Sequence, residues 1–140
     1  MKTQSDSDDA VLRKALSRGA MLKENLVNSA GGLVGSKQVA GILGISTQGL
    51  RELPYRQTLM AVEFEGALGY PAFQFESEAM RAGVAIILDA IGVDDAWGRL
   101  SFMFLELDQL GGKTPIEAIR SGATAAVALA ARHFGEHGAG

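Results

Sequence analysis

The chain has 140 residues, a formal net charge of −3, no cysteine and two histidines, His133 and His137. Without cysteine there is no disulfide, thiolate metal site or thiol nucleophile, and the reducing cytosol suits such a chain. Both histidines fall too close to the end to build a catalytic triad in the body of the fold. The acidic balance disfavours a broad, sequence-independent grip on nucleic acid, because that needs a basic excess.

Hydrophobic residues make up 47% of the chain, which is enough for a packed core. The longest apolar stretches, 83–91 and 123–131, have about half of the roughly 18–20 residues that a membrane span needs. Residues 1–9 are polar and acidic, unlike a signal peptide, and we expect them to form a frayed tail. A cytoplasmic protein that does not associate with a membrane is therefore expected.

The first predicted element is an amphipathic helix from Asp9 to the Gly31–Gly32 pair, with Gly19 as a potential break. Its apolar side chains recur at helical spacing, and lysines and arginines fill the opposite face. The apolar positions are Val11, Leu12, Ala15, Leu16, Leu22 and Leu26. Such a helix either joins two chains or packs on its own domain, and both alternatives stay open. A homodimer or a hetero-oligomer is the expected assembly.

The stretch 36–53 has the spacing of a helix-turn-helix. Ser36 and Ser46 are each placed to cap a short helix, and Gly44 permits a left-handed turn between the two helices. Ala40 supplies a small side chain where the helices touch. The inward positions are Val39, Ala40, Leu43, Ile45, Leu50 and Leu53.

The outward face of the second of these helices is the candidate DNA-binding surface. Its residues are Ser46, Thr47, Gln48 and Arg51, with Glu52 beside them. The alternative is a short helical hairpin whose polar face is merely solvated. Three basic and three acidic residues cancel between Ser36 and Phe75, so DNA binding would be weak and salt-sensitive. It would need dimerisation or help from the basic residues of the first helix.

A small β-hairpin is predicted after the helix pair. Pro54 is expected to end the second helix. Residues 59–64 and 70–75 then predict two strands joined by a turn at 65–69, and a hairpin in this place is typical of a wing. Pro71 predicts an edge strand or a bulge.

Helices separated by glycine turns are predicted from residue 79 onward. A buried helix ends at Gly92, and Asp94 is expected to cap a helix that runs on to Leu107 and is apolar on more than one face. Thr114-Pro-Ile-Glu117 is a capping box with proline at the first helical position. An alanine-rich helix from Ala123 to about Phe134 and a flexible tail, 135–140, complete the chain.

The sequence contains no constellation of catalytic residues. Asp94 and Asp95 are best explained as helix caps, and Glu106 and Asp108 do not share a helix face. His133 and His137 stand four apart without a third ligand, which is weak evidence for a metal. No glycine-rich phosphate loop occurs. We therefore expect no catalytic residue, no metal and no cofactor, and do not expect an enzyme.

Two segments resemble antitoxins of the Xre/MbcA/ParS group. Residues 59–62 and 70–75 are similar to the wing end of the DNA-binding-like half of those proteins. Trp97, the stretch 104–122 and the alanine-rich helix to Phe134 closely resemble their C-terminal toxin-binding domain. The motif positions met here are Leu110, Gly111, Gly112, Thr114, Pro115, Ile116, Glu117, Ile119, Arg120 and Gly122. Lys113 and Asp108 depart from the group, where Arg and Asn are common.

The resemblance implies a function, a partner and a set of contacts. In that group the antitoxin wraps a toxin whose RES domain consumes NAD or transfers from it, and the C-terminal segment covers the toxin's active site. The toxin-binding residues implied here are Arg120, Arg132, His133, Phe134, His137 and Gly140. The implied protein is the antitoxin of a type II toxin–antitoxin pair that binds a cognate RES-domain toxin, with operator DNA as a second partner.

An alternative function is a free-standing winged-helix transcriptional regulator that uses its C-terminal domain for dimerisation. In either case the predicted fold is mainly helical (α+β), with one small hairpin. It comprises an N-terminal tail and helix at 1–35, a winged helix-turn-helix module at 36–76 and a helical toxin-binding domain at 77–140.

Overall fold

The computed structural model describes residues 2–52 and 58–134, which form a mainly helical fold with a small antiparallel sheet. In chain order the elements are α1 (Lys2–Ser29), β1 (Leu33–Val34), α2 (Ser36–Leu43), α3 (Thr47–Glu52), β2 (Val62–Phe64), β3 (Ala67–Pro71), a 3-10 helix (Ala72–Phe75), α4 (Glu78–Ala90), α5 (Ala96–Phe102), a second 3-10 helix (Asp108–Leu110), α6 (Pro115–Arg120) and α7 (Thr124–His133). The predicted mainly helical class is confirmed. Pro54 and the predicted end of the second short helix lie outside the described residues.

Helix α1 is longer than the sequence pattern predicts. It begins at Lys2 instead of Asp9, so the prediction of a frayed tail over 1–9 is wrong, and it passes through Gly19 without a break. The stretch before Gly19 holds neither proline nor a second glycine, and one interior glycine costs about 1 kcal/mol. The C-terminal end of α1 packs on the body, where Leu26 contacts the main core and Ala30 is buried.

The sheet of the described chain has three strands in the order β1–β3–β2. Strands β2 and β3 form the predicted hairpin, and its turn residues Glu65 and Gly66 have φ of 53° and 82°. Two consecutive positive φ values suit a tight turn that follows the twist of the strands. Strand β1, Leu33–Val34, is not predicted, because two residues are too few to show an alternating pattern.

The return strand of the hairpin differs from its prediction in two ways. It spans Ala67–Pro71 rather than 70–75, and the chain continues as a 3-10 helix. It is also the central strand, so the edge position predicted from Pro71 is wrong. Proline is tolerated here because it is the last residue of the strand, so its lack of a backbone N–H interrupts no hydrogen bond further along the sheet. Gly69 allows β1 to approach, since a Cβ there would lie 2.8 Å from the side chain of Leu33.

The buried side chains form two clusters. In the main core, Met60, Val62 and Phe73 pack with side chains of α4, α5, α6 and α7. The smaller cluster joins α2, α3 and the sheet through Val39, Ala40, Leu50, Leu59 and Tyr70. The main core thus crosses the predicted domain boundary at 76/77, and the division into three parts stays a prediction.

Helix α5 is shorter than predicted. Asp95 rather than Asp94 caps its N-terminus, and it ends at Phe102 instead of running on to Leu107. The backbone after Phe102 bonds to a later part of the chain, since the Leu107 N–H donates to the Lys113 carbonyl at 3.2 Å. This bond competes with continuation of the helix. Because it involves a distant part of the chain, the local sequence does not predict where the helix ends.

The predicted capping box at the start of α6 is confirmed. The Thr114 hydroxyl accepts from the Glu117 N–H at 3.2 Å, and the Glu117 carboxylate accepts from the Thr114 N–H at 3.0 Å. Glycines in the left-handed region flank the helix, with φ of 67° at Gly111, 83° at Gly112 and 88° at Gly122. The motif residues therefore build the turn before α6 and the turn between α6 and α7.

Candidate binding surfaces

Helices α2 and α3 meet at a left-handed turn. Gly44 adopts φ 69° and ψ 31°, and the Ser46 hydroxyl caps α3 by accepting from the Gly49 N–H at 2.9 Å. Ala40 and Leu50 are buried where the helices pack. The turn glycine and the cap of the second helix are as the spacing predicts.

Two residues of this helix pair differ from their predicted roles. Ser36 does not cap α2, because Gly35 occupies the N-cap position and makes no side-chain bond. Ile45 is 37% exposed instead of packing inward. It lines an apolar groove of about 530 Å³ that it shares with Ala82 and Ala85 of α4. The predicted inward position Leu53 lies outside the described residues.

The candidate DNA-binding residues share the outer face of this helix pair. Thr47, Gln48 and Arg51 are exposed, and the Gln48 amide donates to the Glu52 carboxylate at 3.3 Å. Ser46 is exposed as well, although its hydroxyl oxygen serves the helix cap. A nucleic acid would thus meet Arg51 together with two neutral side chains and an adjacent carboxylate.

The β2–β3 hairpin adds no positive charge to this face. The sequence from 58 to 75 contains no lysine or arginine, and it carries Glu63 in β2 and Glu65 at the turn, both exposed. Phosphate contacts supply most of the sequence-independent affinity for DNA. The exposed carboxylates of the hairpin therefore repel a phosphate backbone rather than attracting it.

Arg120, a predicted toxin contact, takes part in an ion pair within the chain. Its guanidinium donates to the two carboxylate oxygens of Glu76, at 2.7 and 2.9 Å, and ties α6 to the segment before α4. The hydrogen bond from Arg120 lowers the pKa of Glu76, and the carboxylate raises the pKa of Arg120 in return. Because its guanidinium is bonded to Glu76, Arg120 positions α6 against the segment that leads into α4.

The other predicted toxin contacts cluster at the C-terminal end of α7. Arg132 and His133 are exposed. Phe134 is half-buried in the main core, with its ring centroid 5.0 Å from that of Phe102. It also closes against the chain after α4, since a Cβ at Gly92 would lie 2.5 Å from the Phe134 carbonyl. The remaining predicted contacts, His137 and Gly140, lie outside the described residues.

An exposed apolar surface on α4 and α7 is not predicted from the sequence. Ile86 is 50% exposed and Leu129 is 57% exposed. We call the patch formed by Ile86, Ala125, Ala128, Leu129 and Arg132 the α4–α7 surface; together with Thr124 it lines a hollow of about 520 Å³. Leu129 also borders a second hollow of about 280 Å³, which His133 lines. The sequence signal for this surface is Ile86, an apolar residue that lies off the buried face of its helix.

A more polar groove lies beside β2 and has a volume of about 460 Å³. Three of its charged side chains have structural roles: Asp95 caps α5, and Arg99 donates to the Val93 carbonyl at 2.8 Å and pairs with Asp94 at 3.3 Å. Within residues 2–52 and 58–134, no group of three or more His, Asp or Glu side chains is arranged to hold a metal ion.

Comparison with known proteins adds no family. No family model, no curated protein and no solved structure matches the chain. The resemblance to Xre/MbcA/ParS antitoxins therefore rests on the motif residues named above. No helix in the described part of the chain is long and apolar enough to cross a membrane.

Proposed function

We propose that this chain is a non-catalytic antitoxin that binds and neutralises an NAD-consuming RES-domain toxin through the α4–α7 surface. The observation that carries the proposal is the pair of large apolar side chains, Ile86 and Leu129, that this surface exposes beside Arg132. Apolar anchors next to shallow hollows with a charged rim are typical of protein interfaces.

The motif residues support the proposal by their structural roles. The capping box, Gly111 and Gly112 shape the entry into α6, and Gly122 shapes the turn between α6 and α7. The Glu76–Arg120 pair fixes α6 to the segment before α4. These contacts hold α4 and α7 in one orientation and thus keep the two apolar anchors together. The motif thus determines how the helices pack, and the exposed side chains of the α4–α7 surface determine which partner binds.

The position of α7 fits a role in covering an active site. Arg132 and His133 stand exposed at the end of the helix that carries Leu129. Because Arg132 belongs to the α4–α7 surface, α7 ends next to that surface. Basic groups in that place would meet carboxylates or bound phosphates at the mouth of a nucleotide site.

The proposal is tested by co-expressing the chain with a RES-domain protein encoded beside it. Leu129→Glu places a charge in the proposed interface and should weaken binding roughly 100-fold, since a buried unpaired charge is costly. Ile42→Glu on α2 is the matched control, because Ile42 is also about half exposed but lies in the helix pair. Equal binding by both variants would remove the α4–α7 surface from the interface.

We propose a second activity, weak repression of its own operon, for the α2–α3 face. Helices α2 and α3 and the β2–β3 hairpin follow one another in the order of a winged helix-turn-helix. The exposed Thr47, Gln48 and Arg51 support DNA contact, and they equally support the alternative of a free-standing regulator.

A mobility-shift titration on the upstream DNA tests this activity. The Gln48→Ala, Arg51→Ala double variant should bind more weakly, with a salt slope reduced by about 0.9 for the lost phosphate contact. Undiminished binding by the double variant would place the contact on another face. Tight palindrome binding without a RES-domain neighbour would favour the free-standing regulator.

A further inference from the structure

Strand β2 lies at one edge of the sheet, because the strand order is β1–β3–β2. Phe64 and Ala67 flank the two-residue turn of the hairpin and face each other. Residues in that position exchange both of their backbone hydrogen bonds, and along an antiparallel pair the bonded positions then alternate. The backbone N–H and C=O of Glu63 therefore point away from β3, toward the free edge.

Gln74 extends this edge back to Met60. Its side chain bonds to both the N–H and the carbonyl of Met60, at 2.9 and 2.8 Å, as a backbone partner on β3 would. By the same alternation, the backbone N–H and C=O of Ala61 point outward as those of Glu63 do. Among the residues that the structure describes, no hydrogen bond engages these outward groups of Ala61 and Glu63. They form a row of donors and acceptors that a further strand can use.

The groove of about 460 Å³ beside β2 lies along this free edge, since both Ala61 and Glu63 line it. Part of its lining is apolar. Leu68, which stands opposite Glu63 in the hairpin, also borders the groove and is 41% exposed. A strand laid in the groove would thus find backbone partners on β2 and an apolar contact for one of its side chains.

The groove is acidic. Its charged side chains are Glu63, Asp94, Asp95 and Arg99. Arg99 pairs with Asp94, whereas Glu63 is exposed and makes no ion pair with any other described residue. A second copy of β2 would bring its own Glu63 to this edge, and like charges on adjoining strands are destabilising. A segment that carries lysine or arginine would instead be attracted.

We propose that the free edge of β2 is a docking site for an extended segment of another protein that contains lysine or arginine. The segment adds to the sheet beside β2, and its basic side chains lie next to Glu63 and the start of α5. In this mode of recognition, backbone hydrogen bonds supply affinity and side chains supply selectivity. The groove shares no lining residue with the α4–α7 surface, so this inference does not rest on the proposed function.

Fluorescence anisotropy of a labelled probe tests the charge requirement. The probe is a short acetylated peptide that alternates lysine and threonine, and it should bind the full chain with a Kd on the order of 100 μM, since the contact is small. Glu63→Lys should weaken binding about tenfold, because it places a like charge in the groove. Glu65→Lys is the matched control: Glu65 is exposed on the same hairpin but does not line the groove, and this variant should bind within about threefold of wild type. Absence of binding at about 1 mM peptide, or equal loss in both variants, would overturn the proposal.

A second probe separates strand addition from charge attraction alone. A peptide of the same sequence with methylated backbone nitrogens keeps its charge but donates no backbone hydrogen bond, and it should bind at least about tenfold more weakly. With the unmodified peptide at saturation, exchange of the Glu63 amide hydrogen with solvent, measured by NMR, should be slower than in the chain alone. Equal affinity of the two peptides, or unchanged exchange at Glu63, would contradict strand addition.

Discussion

At the scale of single residues, the buried Gln74 ties the segment before β2 to the end of β3. Its side chain is fully buried, yet its oxygen accepts from the Met60 N–H at 2.9 Å. Its amide donates to the carbonyls of Met60 at 2.8 Å and Pro71 at 3.0 Å. One side chain thus satisfies three backbone groups where β2 has not yet begun, and a buried polar group is stable because it is fully bonded.

Gln74→Leu should be strongly destabilising. The leucine fills a similar volume, but leaves an N–H and two carbonyls without these bonds, at about 3 kcal/mol in total. We expect the melting temperature to fall by about 10 °C. Gln38→Leu, at an exposed position on α2, is the control and should change stability by less than about 0.5 kcal/mol. Equal melting temperatures for the two variants would show that the three bonds contribute nothing net.

The Glu76–Arg120 pair predicts a specific loss of stability in acid. Arg120 lowers the pKa of Glu76 below 4.5 in the folded protein, so the unfolded chain takes up this proton first. The contribution is present above pH 4.5 and is lost as the pH falls through the lower folded pKa. It amounts to less than about 1 kcal/mol, since the pair is partly solvated.

Urea unfolding at a series of pH values checks this effect. Glu76→Gln should flatten the fall of stability below pH 4.5, because it removes the titrating group of the pair. Glu78→Gln, at the start of α4, is the matched control. A wild-type acid limb in Glu76→Gln would mean that other carboxylates produce it.

At the scale of elements, local signals predict well where the chain's own neighbours decide the outcome. Thr114 and Glu117 predict the start of α6, and Gly44 predicts the turn between α2 and α3, because capping and positive φ depend on a few adjacent residues. The failures lie where distant residues decide. The end of α5 depends on bonds to the loop before α6, and β1 exists because Gly69 leaves room for Leu33.

Two glycine substitutions separate these local and distant effects. Gly69→Ala should destabilise the protein, because its Cβ would lie 2.8 Å from Leu33 across the sheet. Gly41→Ala, in the interior of α2 with no atom within 4 Å of the added Cβ, should stabilise it by up to about 1 kcal/mol. Thermal unfolding of both variants checks the pair of signs. A stabilising Gly69→Ala would mean that β1 shifts away at no cost.

At the scale of the whole molecule, the sequence motif and the displayed surface have different roles. Residues 110–122 are recognisable from sequence because turns and caps need particular residue types. The α4–α7 surface is not, since Ile86 and Leu129 form one surface only when two helices separated by 33 residues of chain lie side by side. Arg120 and Phe134, which the resemblance implies as toxin contacts, also make contacts within the chain: Arg120 pairs with Glu76, and Phe134 packs on Phe102.

The most direct test of the proposed antitoxin function is the rate of NAD consumption by a purified RES-domain protein encoded beside this chain, titrated with the chain. We predict that the wild-type chain and Ile42→Glu suppress the rate fully near stoichiometric ratio, whereas Leu129→Glu needs a large excess. Unchanged NAD consumption in the presence of excess wild-type chain would contradict the proposed neutralisation.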